Sequence, residues 1–204
     1  MGHAGTLDPL ATGLLIILLN KATKLFSYFL SLDKVYITRL KFGITTDTWD
    51  KDGKVIETKE VEKLDVEKLS SIVSGLVGDF DQTPPLYSAI KYKGKPLYLY
   101  ARKGEEVSLG SRRVKIYNIE ILSVQGDEIV LRISCGSGTY IRSIAYEIGK
   151  RYGCGAIVDE LKRIRIGDFR IEDSIELDKL SNLKEVDKNR TCFIKMEKIL
   201  KDKS

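Results

Sequence analysis

The spacing of apolar positions changes several times along the chain, and each change marks a predicted element. After a glycine-rich opening, GHAGTLDPLATGLL, the run Leu14 to Leu19 is continuously apolar and predicts a buried strand. NKATKLFSYFLSLDK then sets Leu25, Phe26, Phe29 and Leu30 on one side at helical spacing, with Asn20 where a cap would stand. KVYITRLKFGITT is rich in β-branched and aromatic residues and predicts a strand that ends at Gly43, and the polar DTWDKDGKV reads as a turn. From about Val66 to Val77, Leu69, Ile72, Val73 and Leu76 share one helical face, closed by Gly78 and Asp79.

The second half alternates differently. In QTPPLYSAIKYKGKPLYLYARKG, Pro84, Pro85 and Pro96 forbid long regular elements, so an exposed excursion over about 84–111 is expected, with one short helix around Tyr98 to Lys103. RRVKIYNIEILSVQGDEIVLRISC predicts two strands joined at Gln125-Gly126-Asp127, with Ile129, Leu131, Ile133 and Cys135 alternating inward. Ile141, Ile144, Ala145 and Ile148 then predict a helix from about Thr139, bounded by Gly138 and Gly153. A last strand pair in CGAIVDELKRIRIGDFRI precedes a polar tail with one weakly amphipathic piece, CFIKMEKIL. Antiparallel runs with interspersed helices predict an α+β fold: a mixed, mainly antiparallel central sheet with flanking helices. One domain over residues 1–171 and a tail over 172–204 are expected.

Composition narrows the class. A chain of 204 residues suits a single core. With 43% hydrophobic and 31% charged residues it reads as soluble and globular, with no apolar run long enough to span a membrane. The opening leaves no basic region or cleavable signal, so a cytoplasmic location is expected. Cys135, Cys154 and Cys192 lie far apart with one histidine in the chain, which is neither a zinc spacing nor a disulfide framework, and they read as reduced structural thiols. The net charge of +5 is modest, but its distribution is uneven. Lys91, Lys93, Lys95, Arg102, Lys103, Arg112 and Arg113 are interleaved with Tyr92, Tyr98 and Tyr100, a pattern that suits a phosphate backbone with stacking bases as well as a solvated basic loop.

Asp8 is the first candidate for chemistry. An Asp before Pro commonly caps a helix, yet PLAT is cut off by Gly13, and a cap with almost no helix is poorly explained. A carboxylate nucleophile must be ionised, and its reference value of about 3.9 holds unless burial raises it by roughly three units, so a buried one calls for a fixed cation. Arg142 suits that part: it stands in the first turn of a helix, where a cation opposes the helix dipole, on the side away from Ile141, Ile144 and Ile148. The single histidine, the lack of a Gly-x-Ser-x-Gly elbow, of a Walker loop and of Cys-x-x-Cys argue against triad and metal-dependent hydrolysis.

With these residues in view the chain resembles the TruB family of tRNA pseudouridine synthases. GHAGTLDPLATGLL is similar to the family's catalytic motif, and KVYITRLKFGITTDTWDKDG to the motif that supplies an active-site tyrosine, here Tyr36. PPLYSAIKYKGKPLYLYAR is similar to its RNA-gripping insertion and CGSGTYIRSIAYEIG to the motif of its active-site arginine, here Arg142. GCGAIVDELKRIRIGDF is similar to the segment whose leucine, here Leu161, packs beneath the target base. The resemblance implies the pseudouridine synthase fold and isomerisation of a tRNA T-loop uridine (U55) to pseudouridine by a monomer acting on the T-arm stem-loop, with neither metal nor cofactor. It also implies Asp8 as nucleophile, with attack at C1′, attack at C6 and deprotonation of the ribose all open. Tyr36 would stack on the flipped base, returning about 1–3 kcal/mol against an extrusion cost of a few kcal/mol, and accept the proton from the uracil carbon. His3 would contact the flipped-out loop, and Lys91, Arg102 and Tyr140 the RNA or substrate.

Two departures from the family pattern shape the expectations. Family members carry a further segment before the catalytic motif, including a core strand with a Lys-Pro step; either that segment lies upstream of Met1 or the strand is lost, and its loss would leave an unpaired sheet edge beside Asp8. The tail is too short for the RNA-binding PUA domain that many relatives append, so a weaker grip on the acceptor side is expected. A rival reading is a non-catalytic tRNA-binding or RNA-chaperone module, although a pure binder has little use for an acid paired with an arginine. A carboxylate hydrolase would need a second acid, and none is evident in the sequence.

Overall fold

The computed structural model of the chain describes residues 1–88, 90–101, 103–105, 107, 110–180 and 192–201. In chain order they form β1 (Gly2–Ala4), β2 (Ala11–Gly13), β3 (Ile16–Leu18), a 3-10 turn (Asn20–Leu25) running into α1 (Phe26–Ser31), and β4 (Lys34–Phe42). Then come β5 (Ile44–Thr46), β6 (Val55–Thr58), α2 (Val66–Ser74), β7 (Gly78–Gln82), β8 (Lys91–Tyr92), β9 (Lys95–Pro96) and α3 (Leu97–Ala101). The remainder is β10 (Arg112–Gln125), β11 (Glu128–Cys135), α4 (Ile141–Tyr152), β12 (Ala156–Ile166), β13 (Phe169–Arg170), α5 (Leu177–Leu180) and α6 (Met196–Lys201).

The main sheet runs β13-β12-β4-β11-β10-β7, antiparallel throughout, and β2 adds to β12 in parallel. It is therefore mixed and mainly antiparallel, as the alternating strands predict. Every second residue of β11 (Ile129, Leu131, Ile133, Cys135) is buried in one core with Leu40 of β4, Leu69 and Val73 of α2, and Ile144, Ala145 and Ile148 of α4. The approach of α4 to the sheet depends on Gly149, where a Cβ would stand 2.1 Å from the backbone nitrogen of Ala156. Burial pushes the Cys135 thiol up to about 12, with Thr139 and Lys34 opposing, which leaves it an inert core group as the cysteine spacing implies.

Several expectations are corrected. The apolar run from Leu14 to Leu19 is not a buried strand: only Ile16–Leu18 is extended, pairing with β1 outside the main sheet, and Leu15, Ile17 and Leu19 are exposed. A two-stranded pair has one covered face, so half of an apolar run must face outward. Asn20 does not cap the next helix; it takes a left-handed φ of 49°, and no side chain caps that turn. Of the four residues read as one helical face there, Phe29 is buried whereas Phe26 and Leu30 are exposed. The helix read to Val77 ends at Ser74, behind an Asp65 cap that accepts from the Lys68 N–H at 3.0 Å. Gly78 and Asp79 open the edge strand β7 instead, where Asp79 and Asp81 pair across to Lys115 and Arg113. Those charged pairs guard the edge. The excursion's short helix lies slightly earlier than read, at Leu97–Ala101. In the tail, Ile199 of α6 packs on the small cluster of Ala4, Leu18 and Phe29, beside Phe169.

The opening glycines acquire a reason at Gly13. Its φ is 105°, and a Cβ would lie 2.3 Å from the carbonyl oxygen and 2.8 Å from the nitrogen of Arg163, the residue it faces across the parallel β2–β12 pairing. Gly13→Ala is expected to lower stability by about 1–3 kcal/mol in urea unfolding. Gly110→Ala, in open space at an ordinary φ, is expected to stay within about 0.5 kcal/mol of wild type.

Candidate active site

The Asp-Pro step opens a turn rather than a helix. The Asp8 carbonyl accepts from the Ala11 N–H at 2.8 Å, and the chain then enters β2. With no helix to cap, the Asp8 side chain is free to meet Arg142, whose Nε–H donates to Asp8 Oδ2 at 2.8 Å. Arg142 is the second residue of α4, and its side chain is 4% exposed against 31% for Asp8. Each of its terminal nitrogens also donates: Nη1–H to the Thr48 carbonyl (3.1 Å) and Nη2–H to the Tyr87 carbonyl (3.0 Å). A fork with three fixed directions holds the guanidinium in one orientation.

A second carboxylate, which the sequence does not single out, completes the arrangement. Asp50 Oδ2 lies 3.5 Å from Arg142 Nη1, and its side chain is 8% exposed. Thr48 Oγ1–H and the Asp52 N–H donate to its other oxygen at 2.5 and 3.1 Å. Burial holds its carboxyl above the usual carboxylate range, outweighing the opposing pull of Thr48, Arg142 and the Asp52 amide. The loop carrying Asp50 docks on β12, the Val158 N–H donating to the Trp49 carbonyl and the Lys51 N–H to the Val158 carbonyl, each at 3.0 Å.

Tyr36 lies on β4 directly across from Arg163 on β12. Burial pushes its phenol up to about 12; Cys135 and the Asp8 charge push the same way, while the charge and hydrogen bond of Arg163 oppose. Arg163 is 2% exposed and donates to the carbonyls of Leu14 (2.8 Å) and Gly5 (3.0 Å), so it ties both ends of the Asp8 loop to the strand beneath Tyr36. It is the other residue the sequence reading misses. The signal was present: Arg163 stands two residues from Leu161 on the inward face of a strand, where a charge is costly unless it has a task.

Tyr140 precedes α4, its N–H donating to the buried Gln82 at 2.9 Å, while the Gln82 amide donates to the Gly138 carbonyl at 2.6 Å. Burial raises its phenol, with the Asp8 charge adding to the effect. Asp8, Tyr36, Tyr140 and Arg142 thus form one neighbourhood. Leu161 is buried in the main core, paired with Thr38 and with Ala11 of the Asp8 segment. His3 is exposed on β1 opposite Ile17, and Lys91 is exposed on β8 opposite Pro96. Neither hydrogen-bonds nor ion-pairs with Asp8 or Arg142. Arg102 lies outside the described residues.

Two hollows of the surface, about 340 and 200 Å³, lie at the Gly153 end of α4, away from Arg142, and neither is lined by Asp8 or Tyr36. Among the described residues, no group of three or more His, Cys, Asp and Glu could hold a metal ion, and no helix is long and apolar enough to cross a membrane.

Solved structures share this fold. A chain of a Cbf5-Nop10-Gar1 complex superposes with a TM-score of 0.72 at 29% identity, over 97% of this chain and 52% of that one. A chain of an H/ACA RNP bound to a substrate RNA containing 2'-deoxyuridine gives 0.68 at 25% identity, over 97% and 50%. The sequence profile of the TruB family pseudouridylate synthase N-terminal domain matches residues 1–141, and that of the tRNA pseudouridylate synthase B C-terminal domain matches 142–201. The chain belongs to the TruB family of pseudouridylate synthases. It is 44% identical over 183 residues to the tRNA pseudouridine synthase B of Francisella philomiragia, covering 89% of this chain and 61% of that protein. It is also 44% identical over 181 residues to the protein of the same name from Clostridium tetani, covering 89% and 63%. The chain therefore spans about three-fifths of the length of these relatives.

Proposed function

We propose that this chain isomerises a uridine of the tRNA T loop, U55, to pseudouridine, with residues 1–171 as the catalytic domain. The carrying observation is the 2.8 Å contact between the Asp8 carboxylate, about a third exposed, and the buried Arg142 guanidinium. It supports reading Asp8 as a nucleophile held on a fixed positive support. In the reaction the N1–C1′ bond breaks and a C5–C1′ bond forms; C5 loses a proton and N1 gains one, so no cofactor is consumed. Attack at C1′, attack at C6 and removal of a ribose proton all require the Asp8 carboxylate to meet the extruded nucleotide.

Tyr36 supports the later step. A phenol at about 12 is protonated at neutral pH, so it takes the C5 proton only as it passes its own on, and the Arg163 hydrogen bond steadies the phenolate that would intervene. Tyr140 closes the other side of the Asp8 neighbourhood, and Leu161 supports it from the core. His3, Lys91 and Arg102 are read as RNA contacts on the T arm, taken up by a monomer.

Incubation with a T-arm stem-loop carrying a uridine tritiated at C5 is expected to release tritium and yield pseudouridine by mass spectrometry of the digested RNA. A stem-loop that binds, with affinity falling steeply with salt, but yields no pseudouridine would instead favour the RNA-binding module.

A further inference from the structure

The loop that grips Arg142 contains a residue with no part in the chemistry and an unfavourable backbone. Trp49 adopts φ 62°, the left-handed region that suits glycine, although it carries the bulkiest side chain in the chain. Thr48 and Asp50 flank it, and both hold Arg142: the Thr48 carbonyl at 3.1 Å and the Asp50 carboxylate at 3.5 Å. The Trp49 ring lies flat on Tyr146 of α4, with centroids 4.5 Å apart and planes 19° apart. Arg142 and Tyr146 are four residues apart on α4, so they share one helix face one turn apart. The loop is thus registered on α4 at two neighbouring points, a ring stack and the grip on Arg142, and one residue joins them. A left-handed tryptophan persists only where its surroundings fix it.

The geometry points to Trp49 as a positioning residue that, through its stack on Tyr146, holds Thr48 and Asp50 against Arg142 and so fixes the orientation in which Arg142 presents to Asp8. This rests on the proposed function only in its kinetic consequence. Without the ring, the loop keeps its backbone contacts to Val158 but loses its lateral register on α4. The Arg142 fork then has more than one orientation open to it, and Asp8 meets the nucleotide less often in the productive geometry.

The test uses the full chain with ¹⁵N-labelled arginine and reads exchange of the Arg142 Nε–H, which the Asp8 contact protects, beside that of the Arg163 Nε–H, buried against the Leu14 carbonyl. Trp49→Ala is expected to speed Arg142 exchange about tenfold while Arg163 is unchanged, and Trp49→Phe, which keeps a stacking ring, is expected to restore protection. Trp49→Gly relieves the left-handed backbone and is expected to behave as Trp49→Ala, since the ring is the active element. In turnover on the stem-loop, Trp49→Ala is expected to lower kcat about tenfold at nearly constant KM, with most of that loss absent in an Asp50→Asn background. Unchanged Arg142 exchange in Trp49→Ala would overturn the proposal, as would equal acceleration at Arg163, or a glycine variant as protected as wild type. If wild type makes no pseudouridine, the functional reading fails while the exchange measurement still decides the role of Trp49.

Discussion

Replacing Asp8 by Asn is expected to lower pseudouridine formation on the T-arm stem-loop by on the order of 10⁴-fold or more, with stem-loop affinity staying close to wild type. The substitution is nearly isosteric and removes only the charge and nucleophilicity. The backbone turn survives, because it rests on the Asp8 carbonyl and the Ala11 N–H. The amide oxygen can still accept from Arg142 Nε–H, so the guanidinium keeps its partner in kind. Asp8 is a third exposed, so the fold loses little. On the proposed function such a variant separates chemistry from binding, because the basic and aromatic surfaces would supply RNA affinity and the carboxylate only repulsion toward phosphate. Tighter binding with no product would fit the reading well, whereas product at a tenth of the wild-type rate would remove Asp8 from the nucleophile's part.

The pairing of Asp8 with Arg142 is legible in the sequence because each residue is anomalous alone. Asp8 had no helix worth capping, and Arg142 stood at the wrong end of one. Two local misfits that cancel are a physical argument, and the structure joins them at 2.8 Å. Asp50 and Arg163 were not legible in that way. Asp47, Asp50 and Asp52 all sit in a polar turn, and the one that turns inward is selected by the docking of that turn on Val158, a contact between distant parts of the chain. Arg163 was hidden by its neighbours Lys162 and Arg165, which make the strand read as basic on both faces although Arg163 is buried and those two are exposed. The start of β7, Gly78 and Asp79, reads as a helix stop because its outward positions are aspartates whose partners Arg113 and Lys115 lie on β10. In each case the missing information was a partner distant in sequence.

Arg142→Met is expected to cost about 3–5 kcal/mol of stability, because it strips a buried cation from a buried acid rather than removing both. Asp50 would remain 8% exposed with its charge uncompensated, and the Thr48 and Tyr87 carbonyls would lose their donors. Burial already raises the Asp50 carboxyl with Arg142 present, so the desolvation cost of this acid is only partly offset in the native protein. It follows that Arg142→Met/Asp50→Asn should recover a good part of the loss in urea unfolding. If the double variant is no more stable than Arg142→Met, the Arg142–Asp50 pair is not what stabilises this corner. Arg142→Lys distinguishes charge from shape. A lysine keeps the positive charge near both acids and should unfold later than the methionine variant, yet it is a point donor where the guanidinium reaches Asp8, Thr48 and Tyr87 in three fixed directions. Turnover is therefore expected to fall about 10²-fold in a folded protein, through misplacement of Asp8 rather than loss of its partner. A lysine variant that turns over at the wild-type rate would show that charge alone suffices, and that the geometry of the fork has no part in holding Asp8.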